Sequence, residues 1–234
     1  VFDSGSGGLT VLRALTARLP DRNFLYLGDH AHAPYGTRSD EDVYRLTQCA
    51  VDYLMAQGCR LIVIACNTAA AVALRRMQQT WLPHHAPDAR VLGVHVPLVE
   101  EITGRAWQDL DRPAAVSAER TVAIFATPRT VATHSFPIEI AARAPGITAL
   151  QQACPGLADA IEDHADESTL QTLVDGFVDE LQSKPGASEL SAAILACTHY
   201  PFVEAQFRAA LPDDVQILIQ PDMTATALED YLFR

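Results

Sequence analysis

The chain has one lysine, Lys184, and it lies in Ser183-Lys184-Pro185-Gly186, a turn pattern. A pyridoxal enzyme needs a lysine held in a pocket for its Schiff base. A lysine beside Pro-Gly in a surface loop does not meet that need, so pyridoxal chemistry is disfavoured and no cofactor is expected. Positive charge is scarce as well, with 17 Lys and Arg against 29 Asp and Glu and a net charge of −12. Binding a nucleic acid or an anionic membrane surface requires a basic face, so neither partner is expected. A small anionic substrate needs only a local pocket and stays open. Long apolar runs are absent, and none approaches the roughly 20 residues that span a bilayer. The five cysteines, at 49, 59, 66, 154 and 197, show no CxxC pairing and are odd in number. That fits a reducing cytosol better than a disulfide framework. With no secretory signal in the residues given, the expected location is cytoplasmic.

What is present is ordinary soluble-protein material: 49% hydrophobic and 20% charged residues over 234 positions, enough for one large domain or two small lobes. The stretch Leu61-Ile-Val-Ile-Ala-Cys66-Asn67-Thr68 is echoed by Ala193-Ile-Leu-Ala-Cys197-Thr198-His199-Tyr200. Each is a short apolar run ending in Ala-Cys, followed by small hydroxyl or amide residues.

Val1-Phe2 leads into Asp3-Ser4-Gly5-Ser6-Gly7-Gly8 and then Leu9, Val11, Leu12 and Leu15 at helical spacing, which reads as strand, glycine-rich turn, helix. Such a turn lets a backbone approach a ligand at a helix N-terminus, but it is equally a plain tight βα turn. Residues 23–27 form a second strand, followed by a loop holding His30 and His32; two histidines alone are more often loop residues than a metal site. A helix covers 40–57, a strand 61–65 and a helix about 68–79. A Pro/His-rich loop at 83–88 precedes a strand from Val91 to near Pro97. The stretch 104–119, with Pro113, reads as irregular, a helix end plus a loop. Then come a strand at 121–125, a helix with Ile138, Ile140 and Ala141, and a strand at 148–152. A helical turn carries Glu162, and residues 168–182 form an amphipathic helix with Leu170, Leu173, Val174, Phe177 and Leu181 inward. A strand at 192–196, a helix over 201–210, a strand at 215–219 and a helix from Ala225 to Leu232 complete the pattern. Alternation throughout indicates an α/β fold with mainly parallel sheets. The strands fall into two series, one ending in Asp-Ser and Cys-Asn-Thr, the other in Thr-Pro-Arg-Thr and Cys-Thr-His. This suggests two pseudo-symmetric lobes flanked by helices with the site in the cleft between them. The expected division is 1–93 plus 202–234 for one lobe and 94–201 for the other.

Free cysteine often merely fills space, and Cys49 and Cys59 suit that reading. Cys66 and Cys197 differ: each ends a strand, precedes hydrogen-bonding residues and can feel a helix N-terminus, which lowers a thiol pKa. Cys197-x-His199 does not have the spacing of a common zinc site. A redox disulfide needs Cα atoms within about 7 Å, which facing lobes around a substrate prevent. A hydrolase needs one nucleophile, leaving the second cysteine surplus. Inverting a stereocentre by proton transfer needs two acid/base groups, one on each face of a planar intermediate, and two facing thiols match that requirement.

The residues resemble the cofactor-independent glutamate racemases of the aspartate/glutamate racemase superfamily. The likeness lies in Val1-Phe-Asp-Ser-Gly-Ser-Gly-Gly-Leu-Thr-Val-Leu-Arg13, Gly28-Asp29 with Ala33-Pro34-Tyr35-Gly36, Ala65-Cys-Asn-Thr-Ala69, Ala126-Thr-Pro-Arg-Thr130, Gln152-Ala-Cys-Pro155 with Glu162, and Cys197-Thr-His-Tyr-Pro201. These segments follow the family's order over nearly the whole chain. The resemblance implies racemisation of glutamate, supply of D-glutamate for peptidoglycan, a cytoplasmic small-molecule enzyme and a homodimer. It implies that Cys66 acts on the D-enantiomer with Asp3 assisting, and that Cys197 acts on the L-enantiomer with His199 and Glu162 assisting. Ser4, Pro34, Tyr35, Gly36, Asn67, Thr68, Thr130 and Thr198 correspond to the substrate-holding set. The chain departs from the pattern at Ala196 and Arg129, where glycine is usual, and His30 and His32 fall at variable positions. An aspartate racemase of the same superfamily, or a silent amino-acid-binding protein on this fold, are the alternatives.

Overall fold

The computed structural model describes residues 1–106 and 119–233; the irregular segment expected at 104–119 therefore lies mostly outside the described residues. The first strand, β1 (Phe2–Asp3), feeds the glycine turn and α1 (Leu9–Arg18). The next strand, β2 (Leu27–Gly28), is shorter than the 23–27 run expected. Its upstream residues still touch β1, since the Val1 amino group donates to the Leu25 carbonyl at 2.7 Å. Two tight 3-10 turns, His30–His32 and Tyr35–Thr37, lead to α2 (Asp40–Ala56). Ser39 caps this helix by accepting from the Asp42 N–H, and Asp40, Glu41 and Asp42 place negative charge on its positive end.

The strand β3 (Leu61–Ile64) runs into α3 (Asn67–Ala69), with Cys66 as its cap. The helix continues through π-type stretches Ala70–Leu74 and Met77–Trp81 into α4 (Leu82–His85). It thus runs past the expected end near 79 and takes in part of the supposed Pro/His loop. Pro83 sits in the first turn of α4, where the π-type stretch passes into it. After β4 (Arg90–Gly93) comes α5 (His95–Thr103), of which the sequence reading assigned only an end at 104 and beyond. Its signal, Leu98, Val99 and Ile102, is short and hidden behind the apolar run of β4.

The second half holds β5 (Arg120–Ala126), α6 (Pro128–Ala132), α7 (Ser135–Arg143) and β6 (Ile147–Ala153). Then follow α8 (Leu157–Glu162), α9 (Glu167–Gln182), β7 (Leu190–Ala196), α10 (Glu204–Ala210), β8 (Gln216–Leu218) and α11 (Gln220–Leu232). In α7, Ile140 is buried as read, but Ile138 is 55% exposed.

All strand pairs are parallel and form two four-stranded sheets, ordered β2-β1-β3-β4 and β6-β5-β7-β8. The two orders have the same pattern, so the halves are topological copies. The division of the chain needs one correction. Residues 202–234 do not all join the first lobe: β8 pairs with β7 through Ala192–Gln216 and Ile194–Leu218 and closes the second sheet. Parallel neighbours need a crossover, and α10 supplies it, so β7, α10 and β8 are one unit. From that stretch, α11 returns to the first lobe, where Ala225 and Leu228 join Val11 and Leu15 in one apolar cluster. Conversely, Leu98, Val99 and Ile102 of α5 pack with β5 and β7 of the second lobe.

Phe125 of β5 and Phe207 of α10, both fully buried, have ring centroids 4.8 Å apart at the centre of the second lobe's core. Truncating Phe207 to Ala leaves a cavity that the sheet cannot close. Urea unfolding should show a loss of about 3–5 kcal/mol; a loss under about 1 kcal/mol would mean that α10 is not part of this core.

Candidate active site

Each sheet has its topological switch point between its two central strands, β1/β3 and β5/β7, and ligands of parallel α/β sheets bind outside the strand ends there. Asp3-Ser4 leaves β1 at that end and Cys66 follows β3; Thr127 follows β5 and Cys197 follows β7. The four ends converge on one cavity of about 450 Å³. Ser4, Pro34, Tyr35, Gly36, Cys66, Asn67 and Thr68 line it from the first lobe, and Cys197, Thr198, His199 and Glu162 from the second. Asp3 and Thr130 are not in the lining. Both are wholly buried and lie behind it.

Around Cys66 the contacts are short and local. Its sulfur accepts from the Ala69 N–H at 3.4 Å, as the start of α3 exposes unpaired amides, and lies 3.3 Å from the Ser4 hydroxyl. Burial pushes this thiol up, the nearby Asp3 carboxylate adds to the effect, and the Ser4 and Ala69 contacts oppose it; the result is about 11. The Asp3 carboxylate accepts from the Gly5 N–H at 3.0 Å and from the Thr198 hydroxyl at 3.2 Å, so Ser4 rather than Asp3 stands against the sulfur. Burial also raises the pKa of Asp3 above the usual carboxylate range.

On the opposite wall, His199 Nδ1 lies 3.8 Å from Cys197 Sγ, and His199 Nε2 lies 2.6 Å from Glu162 Oε1. The carboxylate can only accept, so Nε2 carries the proton and, in the neutral ring, Nδ1 faces the thiol. Partial burial alone would raise Glu162, but hydrogen bonds from His199 and Ser6 outweigh it and hold the carboxyl at about 2. Cys197 is itself pushed up, mainly by burial. Glu162, selected in the sequence only by its offset from Cys154-Pro155, thus stands in line with His199 and Cys197.

A hydroxyl cluster joins the lobes at the far end. Thr68 Oγ1 lies 2.9 Å from Thr127 Oγ1 and 3.3 Å from Thr130 Oγ1, and Thr127 caps α6 by accepting from the Thr130 N–H. Thr127 was not among the expected site residues, although Thr-Pro after a strand is an N-cap pattern that could have marked it. Behind Asn67, its amide donates to Gln220 Oε1 at 2.7 Å, a contact from α11 that nothing local in the sequence signals. Of the residues with unassigned roles, His30 lines the mouth, His32 pairs with Asp29 at 2.8 Å, and Arg129 reaches Asp40 across the lobes at 3.1 Å.

No lysine or arginine lines the cavity among the described residues. The described residues also hold no group of three or more His, Cys, Asp or Glu placed to bind a metal ion, and no helix long and apolar enough to cross a membrane.

No family model matches the chain. Over all 234 of its residues it is 50% identical to the glutamate racemase of Paracoccus denitrificans, covering 84% of that protein. The chain belongs to the glutamate racemase family. It is an amino-acid racemase, an isomerase. The fold agrees: a glutamate racemase isoform of Bacillus anthracis superposes with a TM-score of 0.85 at 27% identity, over 99% of this chain and 80% of that one. The Francisella tularensis glutamate racemase, solved in complex with D-glutamate, superposes at 0.82 with 27% identity, over 99% and 79%.

The glycine turn has a function of its own in this racemase. A methyl group at Gly7 would lie 2.6 Å from Thr198 Oγ1 and 2.8 Å from His199 Nδ1. The turn is bare because the opposite lobe's Thr198 and His199 rest on it. Gly7→Ala should leave the circular dichroism spectrum intact while racemisation falls by on the order of 10²-fold, the scale of a 1 Å misplacement in an active site. Near-normal turnover would show that the two lobes need not come this close.

Proposed function

We propose that the enzyme interconverts L- and D-glutamate without a cofactor, using Cys66 and Cys197 as the two proton-transfer groups. The observation that carries this reading is the pair of buried thiols on opposite walls of one cavity, each with its own polar partners. With L-glutamate, the Cys197 thiolate takes the α-proton. The electron pair left on Cα delocalises into the α-carboxylate, and the Cys66 thiol protonates the other face. With D-glutamate the roles exchange. The enediolate-like intermediate is stabilised by the amides at the start of α3 and by the hydroxyls of Thr68 and Thr198. His199, oriented by Glu162, exchanges a proton with Cys197. Asp3, whose own proton affinity is raised by burial, assists Cys66. Ser4, Pro34, Tyr35, Gly36, Asn67 and Thr130 hold or back the substrate. D-glutamate bound to the Francisella relative supports glutamate as the ligand. The family likeness further supports a cytoplasmic enzyme that supplies D-glutamate for peptidoglycan and acts as a homodimer.

Incubation with each enantiomer of glutamate in D₂O, without added cofactor, should give loss of optical rotation together with α-deuteration. Aspartate should be a poor substrate. The absence of α-exchange with either enantiomer of glutamate would sink the proposal, and faster exchange with aspartate would reassign the substrate. Cys66→Ser and Cys197→Ser should each abolish racemisation, and normal turnover by either variant would rule out the two-base route.

The raised thiols give a pH signature. A group whose pKa is raised stays protonated until the pH approaches that value, so thiolate, the form that abstracts, is scarce at neutral pH. For D-glutamate, kcat/KM, which reports the free enzyme, should climb with pH through 7–10 toward the Cys66 value of about 11. A plateau below pH 8 would show that the free enzyme already holds the thiolate.

A further inference from the structure

The carboxylate that orients His199 is itself held from across the cleft. Ser6, in the glycine turn of the first lobe, donates twice to Glu162 Oε1, from its hydroxyl at 2.7 Å and from its main-chain N–H at 3.2 Å. His199 Nε2 reaches the same oxygen at 2.6 Å. One oxygen therefore accepts from both lobes. The glycines on either side make this possible, for a methyl group on Gly5 would come within 3.0 Å of that oxygen. Nothing in the family likeness singled out Ser6, and the mechanism above does not use it.

We infer that Ser6 is a positioning residue for the Cys197 half of the reaction. Its hydroxyl fixes the Glu162 carboxylate, Glu162 fixes the tautomer and tilt of His199, and His199 then faces the Cys197 thiol with Nδ1. The inference rests on the two-base reading. In the L-to-D direction the Cys197 S–H bond breaks and its proton passes to Nδ1, giving thiolate and imidazolium. The imidazolium keeps its Nε2–H on Glu162. The thiolate then forms a new S–H bond as the substrate Cα–H bond breaks, and the Cys66 thiol delivers its own proton to the opposite face. The Cys66 thiolate takes up a proton from solvent and His199 releases its extra proton to solvent, so protons balance and nothing is oxidised or reduced. Ser6 supplies no proton. Its part is that it stands on the lobe opposite to the histidine it serves, so the relay is aligned only when the turn and α8 meet.

A simpler role is possible on chemical grounds: a rim hydrogen bond that tacks the lobes together. Such a contact, once lost, slows both proton transfers alike, whereas a positioning residue slows the Cys197 transfer alone. The test is the primary deuterium isotope effect on kcat/KM, measured with L- and with D-[2-²H]glutamate, for the wild type, Ser6→Ala and Ser6→Thr. In Ser6→Ala, kcat/KM should fall on the order of tenfold, as when a partner orienting a functional histidine is lost. It must fall equally in both directions, because the equilibrium constant between enantiomers is one. The isotope effect should rise for the L-enantiomer, where Cys197 abstracts, and fall for the D-enantiomer, where Cys66 abstracts. Ser6→Thr, which keeps the hydroxyl, should restore the wild-type pair of values. If Ser6→Ala does not fold, Ser6→Gly removes the same hydroxyl and takes its place. Isotope effects that stay unchanged, or move together, in a folded hydroxyl-less variant overturn the inference. A wild type that fails to exchange the α-proton overturns the two-base reading instead, and the two failures are thereby told apart.

Discussion

The two lobes meet where a glycine-rich turn faces the opposite wall. Gly5, Gly7 and Gly8 leave room for Thr198, His199 and Glu162 of the second lobe, and for the Asp3 side chain beneath. Everything else in the cleft is measured from that contact. Asp3 receives the Thr198 hydroxyl, Ser6 meets Glu162, and the cavity lies between the two sheets. A glycine-rich turn after a strand is often read as a cradle for an anion. Here the missing side chains chiefly admit another part of the same protein.

Burial has an electrostatic price in the thiols themselves. Both lose hydration, which disfavours the charged form, and the buried Asp3 carboxylate adds repulsion on both. The Ser4 hydroxyl and the Ala69 N–H at Cys66, and the His199 main chain at Cys197, work against this and do not reverse it. The result is a pair of strong bases when ionised and good proton donors only to a strongly basic carbanion. That matching of affinities suits a reaction whose intermediate is much more basic than its substrate's carboxylates.

Much of this was legible in the chain. The period of the strands, the two Ala-Cys strand ends and the turn chemistry sufficed for two parallel α/β lobes and for the pairing of Cys66 with Cys197. The misplaced pieces have two causes. Where β8 pairs depends on its partner β7 and not on its own residues, so Gln216–Leu218 carries no local sign of which sheet it joins. The helix α5 was hidden because an apolar strand and an apolar helix face follow each other without a polar break. In the site, Cys66, Asn67, Thr68, Cys197, Thr198 and His199 lie on contiguous strand ends and could be read together. Ser6, Thr127 and Gln220 act through contacts that join distant parts of the chain, and their residue types are common in turns and caps. Asp3 was found, but its hydrogen bonds run to Gly5 and Thr198 instead of to the sulfur it was expected to serve.

The return of α11 to the first lobe has a mechanical meaning. The backbone passes between the sheets twice, once between β4 and α5 and again between β8 and α11. Two bodies tethered by one strand of chain can swivel, twist and part. Tethered by two, they keep chiefly a single rotation, about the line joining the tethers, as covers turn on a spine. Gln220 sits on that spine and grips the amide of Asn67 on the cavity wall. A rotation about that spine would therefore act on Asn67, the residue next to Cys66.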